Sequence, residues 1–298
     1  MIINLKLNSE LSKKYIIITG ASGGLGFVLS NYLFKHGYSL WLLTSKLSTK
    51  KKIEAHYKSL ISKKKNKVII DFFDLSNSTK RKLFEKKILR FKYQIYALIN
   101  NAAIQGPIGP SWTLTDYFIE KTIKINLLGP IFLSKLIIPK MIKNKEGVII
   151  NLSGGGATAA RENFSPYAVS KTGLVRYSEI LAAELKKFNI RVNALAPGVM
   201  KTKMLDNILL AGQTNSGSNE YKIASKLLSK KQFSFRSVID LIFFLLSKDS
   251  EKISGKLISA KWDNWKNFKK HHKQLMKSDI LTLRRIVGKD RGIDWSDN

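Results

Sequence analysis

A glycine-rich turn, placed between a short apolar run and an amphipathic segment, constrains this chain more than any other feature. The run Tyr15–Thr19 is typical of a buried strand, and the segment Gly20–Gly26 follows it directly as a helical pattern begins. Residues that lack a Cβ let the backbone approach a pyrophosphate, and free N–H groups at the start of a helix attract an anion. The spacing Thr-Gly-x-x-x-Gly-x-Gly lacks the Gly-Lys-Ser/Thr ending of a P-loop, which disfavours an ATPase. We therefore predict a phosphate cradle made of Gly20, Ser22, Gly24, Leu25 and Gly26.

Short β-branched runs alternate with longer amphipathic stretches along the chain, as in βαβ units that build a parallel sheet. Strands are predicted at Tyr15–Thr19, Leu40–Leu43, Val68–Phe72, Ile95–Ile99, Val148–Leu152, Arg191–Leu195 and Lys256–Ser259. Helices are predicted at Leu25–His36, Thr49–Ser62, Thr79–Phe91, Leu114–Ile142, Tyr167–Phe188 and Ser237–Leu246. The pattern predicts an α/β fold with a doubly wound, Rossmann-type parallel sheet of about seven strands and helices on both faces.

No internal repeat, low-complexity tract or long linker divides the chain. We therefore expect one domain over residues 1–260, with a substrate loop at about 201–230 that contains a polar, mobile stretch, Gly212–Glu220. Residues 261–298 are expected to form a C-terminal extension that packs on the domain or on a neighbouring subunit. The aromatic residues of this extension are Trp262, Trp265, Phe268 and Trp295.

The chain carries a formal net charge of +31, from 52 basic and 21 acidic residues. Such an excess would favour nucleic acid or anionic lipid, because neutralised phosphates release their counterions. Only nine of the basic residues are arginine, the type whose planar fork suits phosphate and base recognition. We therefore expect a solvated, lysine-rich surface and no nucleic acid partner.

No cysteine is present, which excludes disulfides, thiolate nucleophiles and Cys-ligated zinc. His271 and His272 are adjacent and have no acidic cluster at metal-ligand spacing, so no metal is expected. Charges interrupt every apolar stretch at the start of the chain, and the longest apolar runs fall short of the ~20 residues that span a bilayer. These features predict a soluble, cytoplasmic protein without membrane insertion.

Several motifs occur in the order of the short-chain dehydrogenase/reductase family, and the chain resembles its compact single-domain branch over about residues 13–260. The motifs are Thr19-Gly20-x-x-x-Gly24-x-Gly26, Asn100-Asn101-Ala102-Ala103, Asn126, Tyr167-Ala-Val-Ser-Lys171, and Pro197-Gly198 with Thr202. The resemblance implies a nicotinamide cofactor and a small-molecule carbonyl or alcohol substrate. It also implies a homodimer or homotetramer, paired through the fourth and fifth helices.

A Tyr-x-x-x-Lys pair places a phenol and an ammonium on one helical face. A phenol can exchange the proton that accompanies hydride transfer, and a nearby ammonium lowers its pKa from about 10. A second such pair, Tyr117 and Lys121, also occurs, but only Tyr167 follows the fifth strand and a Ser-Gly-Gly-Gly segment. The resemblance implies that Lys171 also bonds the nicotinamide ribose and that Asn126 holds a water. The predicted catalytic residues are Asn126, Ser153, Tyr167 and Lys171.

The serine that orients the substrate oxygen departs from the family pattern. The family spaces it about thirteen residues before the tyrosine, but Ser153 lies fourteen residues before Tyr167 and Gly154 holds the usual position. Either the Gly154–Gly156 loop carries one extra residue, which we favour, or the hydroxyl is missing.

The end of the second strand indicates which nicotinamide cofactor is used. An acidic side chain there bonds the ribose of NAD, whereas Ser45 and Lys46 supply a hydroxyl and a cation suited to a 2′-phosphate. We therefore expect NADP(H) rather than NAD(H), although Gly23 stands where many NADP-dependent members carry a basic residue. Asp74 and Leu75 resemble the adenine-contacting pair, the alternative being a helix N-cap at Ser76 with Asp74 merely solvated. The further predicted cofactor contacts are Asn101, Ala102, Tyr167, Lys171, Pro197, Gly198 and Thr202.

Together these patterns predict an NADP(H)-dependent oxidoreductase that interconverts a carbonyl and a secondary alcohol. The alternative is a cofactor-binding protein without turnover, or a nucleic-acid-associated regulatory protein that uses the basic surface.

Overall fold

The computed structural model describes residues 11–61, 65–229 and 233–293. The predicted helix end at Ser62, the end of the predicted substrate loop at Lys230, and Trp295 lie outside the described residues. One sheet runs in the order β3-β2-β1-β4-β5-β6-β7, and every neighbouring pair is parallel. Its strands are β1 Lys14–Thr19, β2 Ser39–Thr44, β3 Val68–Phe72, β4 Gln94–Asn100, β5 Gly147–Leu152, β6 Ile190–Ala196 and β7 Leu257–Ser259.

Helices cover both faces of this sheet, because successive strand residues point to opposite sides. In β1, Ile16 packs in a cluster with Leu29 of the first helix, and Ile17 packs in a second cluster with Ile137 of the fifth. The α-helices are α1 Gly24–Lys35, α2 Leu47–Ile61, α3 Ser78–Arg90, α4 Asp116–Ile123, α5 Gly129–Asn144, α6 Ser165–Leu185, α7 Lys203–Ser216, α8 Ser218–Leu228, α9 Arg236–Leu246 and α10 Phe268–Lys277. The predicted doubly wound, Rossmann-type sheet is confirmed.

The strand order reverses between β1 and β4, which are neighbours in the sheet. In open parallel sheets a crevice forms at this point, outside the carboxyl ends of the strands. The glycine turn leaves β1 there, and the Asn100–Ala103 segment leaves β4 at the same edge. The fold therefore gathers the predicted motifs at one edge of the sheet.

The predicted helix Leu114–Ile142 is a continuous helical run, but it is not uniform. A π-helical turn, Lys124–Leu128, joins α4 to α5. The run Asp116–Asn144 has a mean hydropathy of 1.5 and is long and apolar enough to cross a membrane, with 39% of its apolar window buried. Core helices pass the same test, and this one packs against the sheet through residues such as Leu133 and Met141.

The prediction of a mobile polar loop at Gly212–Glu220 is wrong. The segment continues α7 to Ser216 and begins α8 at Ser218, with positive φ angles of 74° at Gly212 and 82° at Gly217 where the chain turns. Two of its polar side chains bond to their own helix: Ser216 Oγ donates to the Gly212 carbonyl at 2.7 Å, and the Asn215 amide donates to the Ala211 carbonyl at 3.1 Å. Polar composition was mistaken for irregular structure. Helices α7 and α8 pack together through Leu205, Ile208 and Ala224, and residues 203–228 are called the cap below.

The C-terminal extension follows β7 closely. Trp265 and Leu275 are buried in the same cluster as Leu29. The Leu281 carbonyl accepts a 2.8 Å hydrogen bond from the Leu257 N–H of β7, so the extension also runs along the outer edge of the sheet. The boundary at residue 260 stays a prediction.

Candidate active site

The glycine turn is tied to the end of β4 by hydrogen bonds. The Thr19 hydroxyl oxygen accepts from the backbone N–H groups of Asn101 and Ala102 at 3.0 and 2.9 Å. In return, the Asn101 side-chain amide donates to the Thr19 carbonyl at 2.9 Å and to the Gly20 carbonyl at 3.2 Å. These bonds fix the floor of the crevice between β1 and β4.

Glycine is required here for steric reasons. A Cβ on Gly26 would lie 2.2 Å from the Gly20 carbonyl oxygen, and one on Gly20 would lie 2.9 Å from the Ala102 Cα. In contrast, Gly23 has nothing within 4 Å of its Cβ position and offers the start of α1 no side-chain cap. Uncapped N–H groups at a helix start suit an anion. The turn therefore fits the pyrophosphate of a dinucleotide.

The other predicted cofactor residues lie around this turn with unequal exposure. Ser22 and Gly24 are exposed, and Leu25 is buried. Thr202, which precedes α7, approaches the Cβ position of Gly24 to 3.4 Å. Pro197 and Gly198 follow β6, and Gly198 has a φ of 75°. The β1, β4 and β6 ends and the start of α7 thus border one crevice.

The end of β2 carries no acidic side chain. Thr44 is buried and shares a 2.6 Å hydrogen bond with Thr49 of α2, whereas Ser45 and Lys46 are exposed. These two side chains are accessible to a cofactor phosphate.

After β3, the Asp74 carboxylate accepts from the Ser76 N–H at 2.9 Å and from the Ser76 hydroxyl at 2.7 Å, and Leu75 is buried. The N-cap of α3 is Asn77, whose side chain accepts from the Lys80 N–H at 3.0 Å. The alternative, an N-cap at Ser76 with a solvated Asp74, is therefore wrong. The N-cap is the next residue, Asn77, and the Asp74 carboxylate is held by its hydrogen bonds from Ser76.

Tyr167 and Lys171 lie one helical turn apart at the beginning of α6. Both are buried, at 7% and 2% exposure. The Lys171 ammonium donates to the Leu152 carbonyl at the end of β5 at 2.7 Å and lies 5.7 Å from the Tyr167 ring centroid. The pair is thereby anchored at the same sheet edge as the glycine turn.

Burial dominates the titration of this pair. It lowers the pKa of Lys171 from 10.5 to about 8. It also raises the pKa of Tyr167 above its usual value, and the charge that opposes this rise is that of Arg161. The sequence analysis expected Lys171 to lower the pKa of Tyr167. Burial outweighs any such effect on the pKa of Tyr167, because the phenol lies away from water and the ammonium donates to the Leu152 carbonyl.

Asn126 lies in the π-helical turn and is fully buried. Its side chain accepts from the Ile104 N–H at 2.9 Å, donates to the Ile104 carbonyl at 2.9 Å, and donates to the Ser170 hydroxyl at 3.2 Å. Ser170 in turn donates to the Tyr167 carbonyl at 2.6 Å. Asn126 thus connects the segment after β4 with the second turn of α6.

Ser153 and Gly154, the two positions considered for the residue that orients the substrate oxygen, lie in different surroundings. A Cβ on Gly154 would lie 2.3 Å from the Tyr167 hydroxyl, so position 154 faces the phenol directly. The Ser153 hydroxyl is buried and has no hydrogen-bond partner among the described residues. Buried polar groups are normally paired, so the lack of a partner for this hydroxyl is unusual. Its orienting role stays a prediction.

The second Tyr-x-x-x-Lys pair lies elsewhere. Tyr117 is 63% exposed on α4, and the Lys121 ammonium lies over its ring at 5.5 Å. The Tyr117 phenol is therefore exposed on the surface, whereas that of Tyr167 is buried.

Sequence reasoning missed an ion pair beside Tyr167. Arg161, in the loop between β5 and α6, donates from Nε and Nη2 to the two carboxylate oxygens of Glu220, both at 2.8 Å. The guanidinium stacks on Phe164 and lies 5.9 Å from the Tyr167 ring centroid. The one available signal was that Arg161 is the sole arginine between Ser153 and Tyr167.

Comparison with known proteins shows to which family this chain belongs. The family model described as short chain dehydrogenase matches residues 14–211, which is more than half of the chain. The chain belongs to the short chain dehydrogenase family. It is an oxidoreductase of this family and acts on CH–OH groups, as the sequence analysis predicted.

Two curated members of the short chain dehydrogenase family illustrate the similarity. The 3-oxoacyl-(acyl-carrier-protein) reductase FabG of Buchnera aphidicola subsp. Baizongia pistaciae is 30% identical over 254 residues, which cover 84% of this chain and 96% of that protein. The L-xylulose reductase of Caenorhabditis elegans is 28% identical over 255 residues, covering 83% and 94%.

Solved structures of the family share the fold. A levodione reductase superposes with a TM-score of 0.71 at 24% identity, covering 83% of this chain and 95% of that chain. An NAD⁺-bound xylitol dehydrogenase superposes with a TM-score of 0.73 at 22% identity, covering 84% and 98%. At such identities these structures support the architecture of the sheet and helices, not a shared substrate.

Proposed function

We propose that this chain is an NADP(H)-dependent oxidoreductase that interconverts a carbonyl and a secondary alcohol, with Tyr167 as its acid–base. The observation that carries the proposal is the buried pair of Tyr167 and Lys171, at the sheet edge where the uncapped start of α1 also lies. When bound, a nicotinamide cofactor supplies or accepts the hydride. The chain's own residues hold the substrate oxygen and exchange its proton.

Tyr167 is suited to donate a proton. Because burial raises its pKa, the phenol is protonated at neutral pH and can act as an acid towards the oxygen of a carbonyl. Lys171, held by the Leu152 carbonyl, has further N–H donors for a cofactor hydroxyl. The unpaired Ser153 hydroxyl supports a role in orienting the substrate oxygen.

Asn126 stabilises the positions of Tyr167 and Lys171 indirectly. Its three side-chain hydrogen bonds hold the segment at Ile104 against Ser170, the residue just before Lys171. We propose that it also anchors a water from which Lys171 regains its proton.

The test is the Tyr167→Phe variant, with Tyr117→Phe as its matched control. Purified protein is assayed with NADPH against a panel of 3-oxoacyl thioesters, keto sugars and diketones, chosen because the curated relatives include an oxoacyl reductase and a xylulose reductase. Tyr167→Phe is expected to lose about 100-fold or more in kcat while NADPH still quenches tryptophan fluorescence. Retained turnover in this variant would exclude Tyr167 as the acid–base.

The preference for NADP(H) is also a proposal. It rests on the exposed Ser45 and Lys46 after β2, together with the lack of an acidic side chain there. A cation and a hydroxyl attract a 2′-phosphate, which an acid would repel. Among solved relatives, one is NAD⁺-bound and another is an NADPH-dependent reductase, so the family accommodates both cofactors.

Lys46→Met tests this preference, with Lys51→Met on α2 as an exposed control. The dissociation constants of NADPH and NADH are measured by fluorescence titration. Lys46→Met is expected to weaken NADPH binding about tenfold and to leave NADH binding unchanged. Equal weakening of both cofactors, or tighter binding of NADH by the parent protein, would contradict the proposal.

We further propose a homodimer or homotetramer paired through the fourth and fifth predicted helices, which are the run Asp116–Asn144 and α6. The run Asp116–Asn144 is apolar but only 39% buried in its apolar window, and Phe118 and Leu128 are 50% and 42% exposed. Leu128→Lys is expected to reduce the molar mass measured by light scattering, whereas Leu89→Lys on α3 is not. A monomeric parent protein would contradict the proposal.

We propose a cytoplasmic location, supported by the absence of cysteine. A fluorescent fusion found outside the cytoplasm would contradict it.

A further inference from the structure

The ion pair between Arg161 and Glu220 joins two parts of the chain that are 59 residues apart. It is bidentate, with both N–O distances at 2.8 Å, a geometry that fixes orientation as well as separation. Its side chains are 17% and 27% exposed, which together is less than for any other ion pair among residues 11–61, 65–229 and 233–293. A pair this shielded is screened less by salt than a surface pair.

The pair connects the cap to the residues that lead into Tyr167. Glu220 lies in the first turn of α8, and Arg161 lies six residues before Tyr167. An apolar contact reinforces this connection, because Phe164 is fully buried with Leu205 of α7 and Ala224 of α8. The cap therefore docks on the loop between β5 and α6 through one ion pair and one apolar cluster.

The glycines of this loop make room for the arginine. A Cβ on Gly156 would lie 3.1 Å from the Arg161 Cβ, and one on Gly155 would lie 3.6 Å from its guanidinium. The guanidinium is 3.9 Å from the Phe164 ring centroid and 5.9 Å from that of Tyr167. The Ser-Gly-Gly-Gly segment thus brings a cation close to the phenol as well as ending β5.

We propose that Arg161 is a positioning residue that holds the cap against the loop before Tyr167 through Glu220 and keeps a positive charge beside the Tyr167 phenol. The inference rests on the proposed function of Tyr167. Among the described residues, the cations that lie over the ring are Arg161 and Lys171, and Glu220 is bound to Arg161. Because Glu220 offsets part of the charge of Arg161, the docking of the cap and the acidity of the phenol are coupled.

Two variants, Arg161→Met and Glu220→Gln, distinguish this coupling from an ion pair that only stabilises the fold. Both remove the ion pair, so hydrogen exchange of residues 203–228 is expected to become about tenfold faster in each. Their effects on the phenol are opposite. Arg161→Met removes the cation that lowers the pKa of Tyr167, whereas Glu220→Gln leaves that cation without its anion.

The second measurement is therefore the pH dependence of the phenol. It is read from kcat/KM with NADPH and the best carbonyl of the panel, and independently from the ultraviolet difference spectrum of tyrosinate with Tyr167→Phe as the blank. The midpoint is expected to move to higher pH in Arg161→Met and to lower pH in Glu220→Gln. Arg161→Lys is expected to return the midpoint towards that of the parent without restoring the bidentate pair.

Arg236→Met, which breaks an exposed ion pair with Asp240 on α9, is the control and is expected to change neither measurement. Midpoints that move in the same direction in both variants, or unchanged exchange of the cap, would overturn the inference. Retained turnover in Tyr167→Phe would instead overturn the proposed function. Hydrogen exchange of the cap would still show whether the ion pair between Arg161 and Glu220 holds it. Urea unfolding of each variant shows whether a loss reflects the site or the fold.

Discussion

Replacing Lys171 with methionine is expected to raise the free energy of unfolding at neutral pH, although it removes a proposed catalytic group. The ammonium is 2% exposed, and burial lowers its pKa from 10.5 to about 8. At pH 7 the folded protein holds this group charged and away from water, whereas the unfolded chain leaves it solvated. Burial of the ammonium therefore reduces the free energy of unfolding, whereas burial of a methionine side chain carries no such cost.

The size of the effect follows from the shift in pKa. Lowering this pKa from 10.5 to about 8 corresponds to a cost of about 3 kcal/mol below pH 8, since a tenfold change in proton affinity is worth about 1.36 kcal/mol. Between pH 8 and 10.5 the unfolded chain binds this proton and the folded protein does not, so stability rises with pH and the cost disappears. Methionine also loses the 2.7 Å hydrogen bond to the Leu152 carbonyl. Because its donor is charged, that bond is worth about 1.5 kcal/mol at pH 7, which leaves a net gain of about 1.5 kcal/mol.

Urea unfolding of the cofactor-free protein at pH 7 and pH 9.5 tests this reasoning, with Lys86→Met on the exposed side of α3 as the control. The gain from Lys171→Met is expected to shrink to about 0.5 kcal/mol at pH 9.5, as linkage requires. The control is expected to change little at either pH. A variant that is less stable than the parent at pH 7, or a gain that is independent of pH, would refute the reasoning.

Three further predictions concern the turn and the extension. Gly26→Ala is expected to destabilise the protein and weaken NADPH binding, because its Cβ would lie 2.2 Å from a backbone oxygen, whereas Gly23→Ala is expected to preserve stability in urea unfolding. Thr19→Val should cost about 1–3 kcal/mol in the same measurement by leaving the Ala102 N–H without an acceptor, since the Asn101 N–H also donates to the Ile99 carbonyl at 3.1 Å. Thr19→Ser keeps the hydroxyl and should not show this cost. Lys256→Met removes two hydrogen bonds to the Ser278 and Ile280 carbonyls, so hydrogen exchange over residues 278–283 should become faster. Unchanged exchange there would show that the extension is held by other contacts.

The fold could be predicted from the sequence because its strands are short, apolar and separated by helical periods. The predicted Val68–Phe72 matches β3 in full, and the other strands differ by one or two residues at their ends. Helix α10 was not predicted, because it is basic and polar with few apolar positions. The π-helical turn at Lys124–Leu128 was not predicted either, since apolar periodicity does not reveal a single widened turn.

The local parts of the candidate site were also predictable, since each motif carries its own geometry. The turn at Gly20–Gly26 and the pair of Tyr167 and Lys171 depend on residues close in sequence. The contact between Arg161 and Glu220 spans 59 residues and depends on how the cap folds back. No local sequence pattern encodes such a contact. Because Gly212–Glu220 was expected to be a loop, Glu220 was not placed on a helix that packs near Tyr167.

The π-helical turn has a consequence for engineering this protein. A π turn holds one residue more than a regular helix would use over the same span. Deleting a residue from Lys124–Leu128 would make the longest helical run more ideal, yet it would rotate Asn126 by about 100° and separate its amide from Ile104. Methods that stabilise proteins by regularising their helices are therefore expected to disrupt this one at the place where the segment after β4 meets α6.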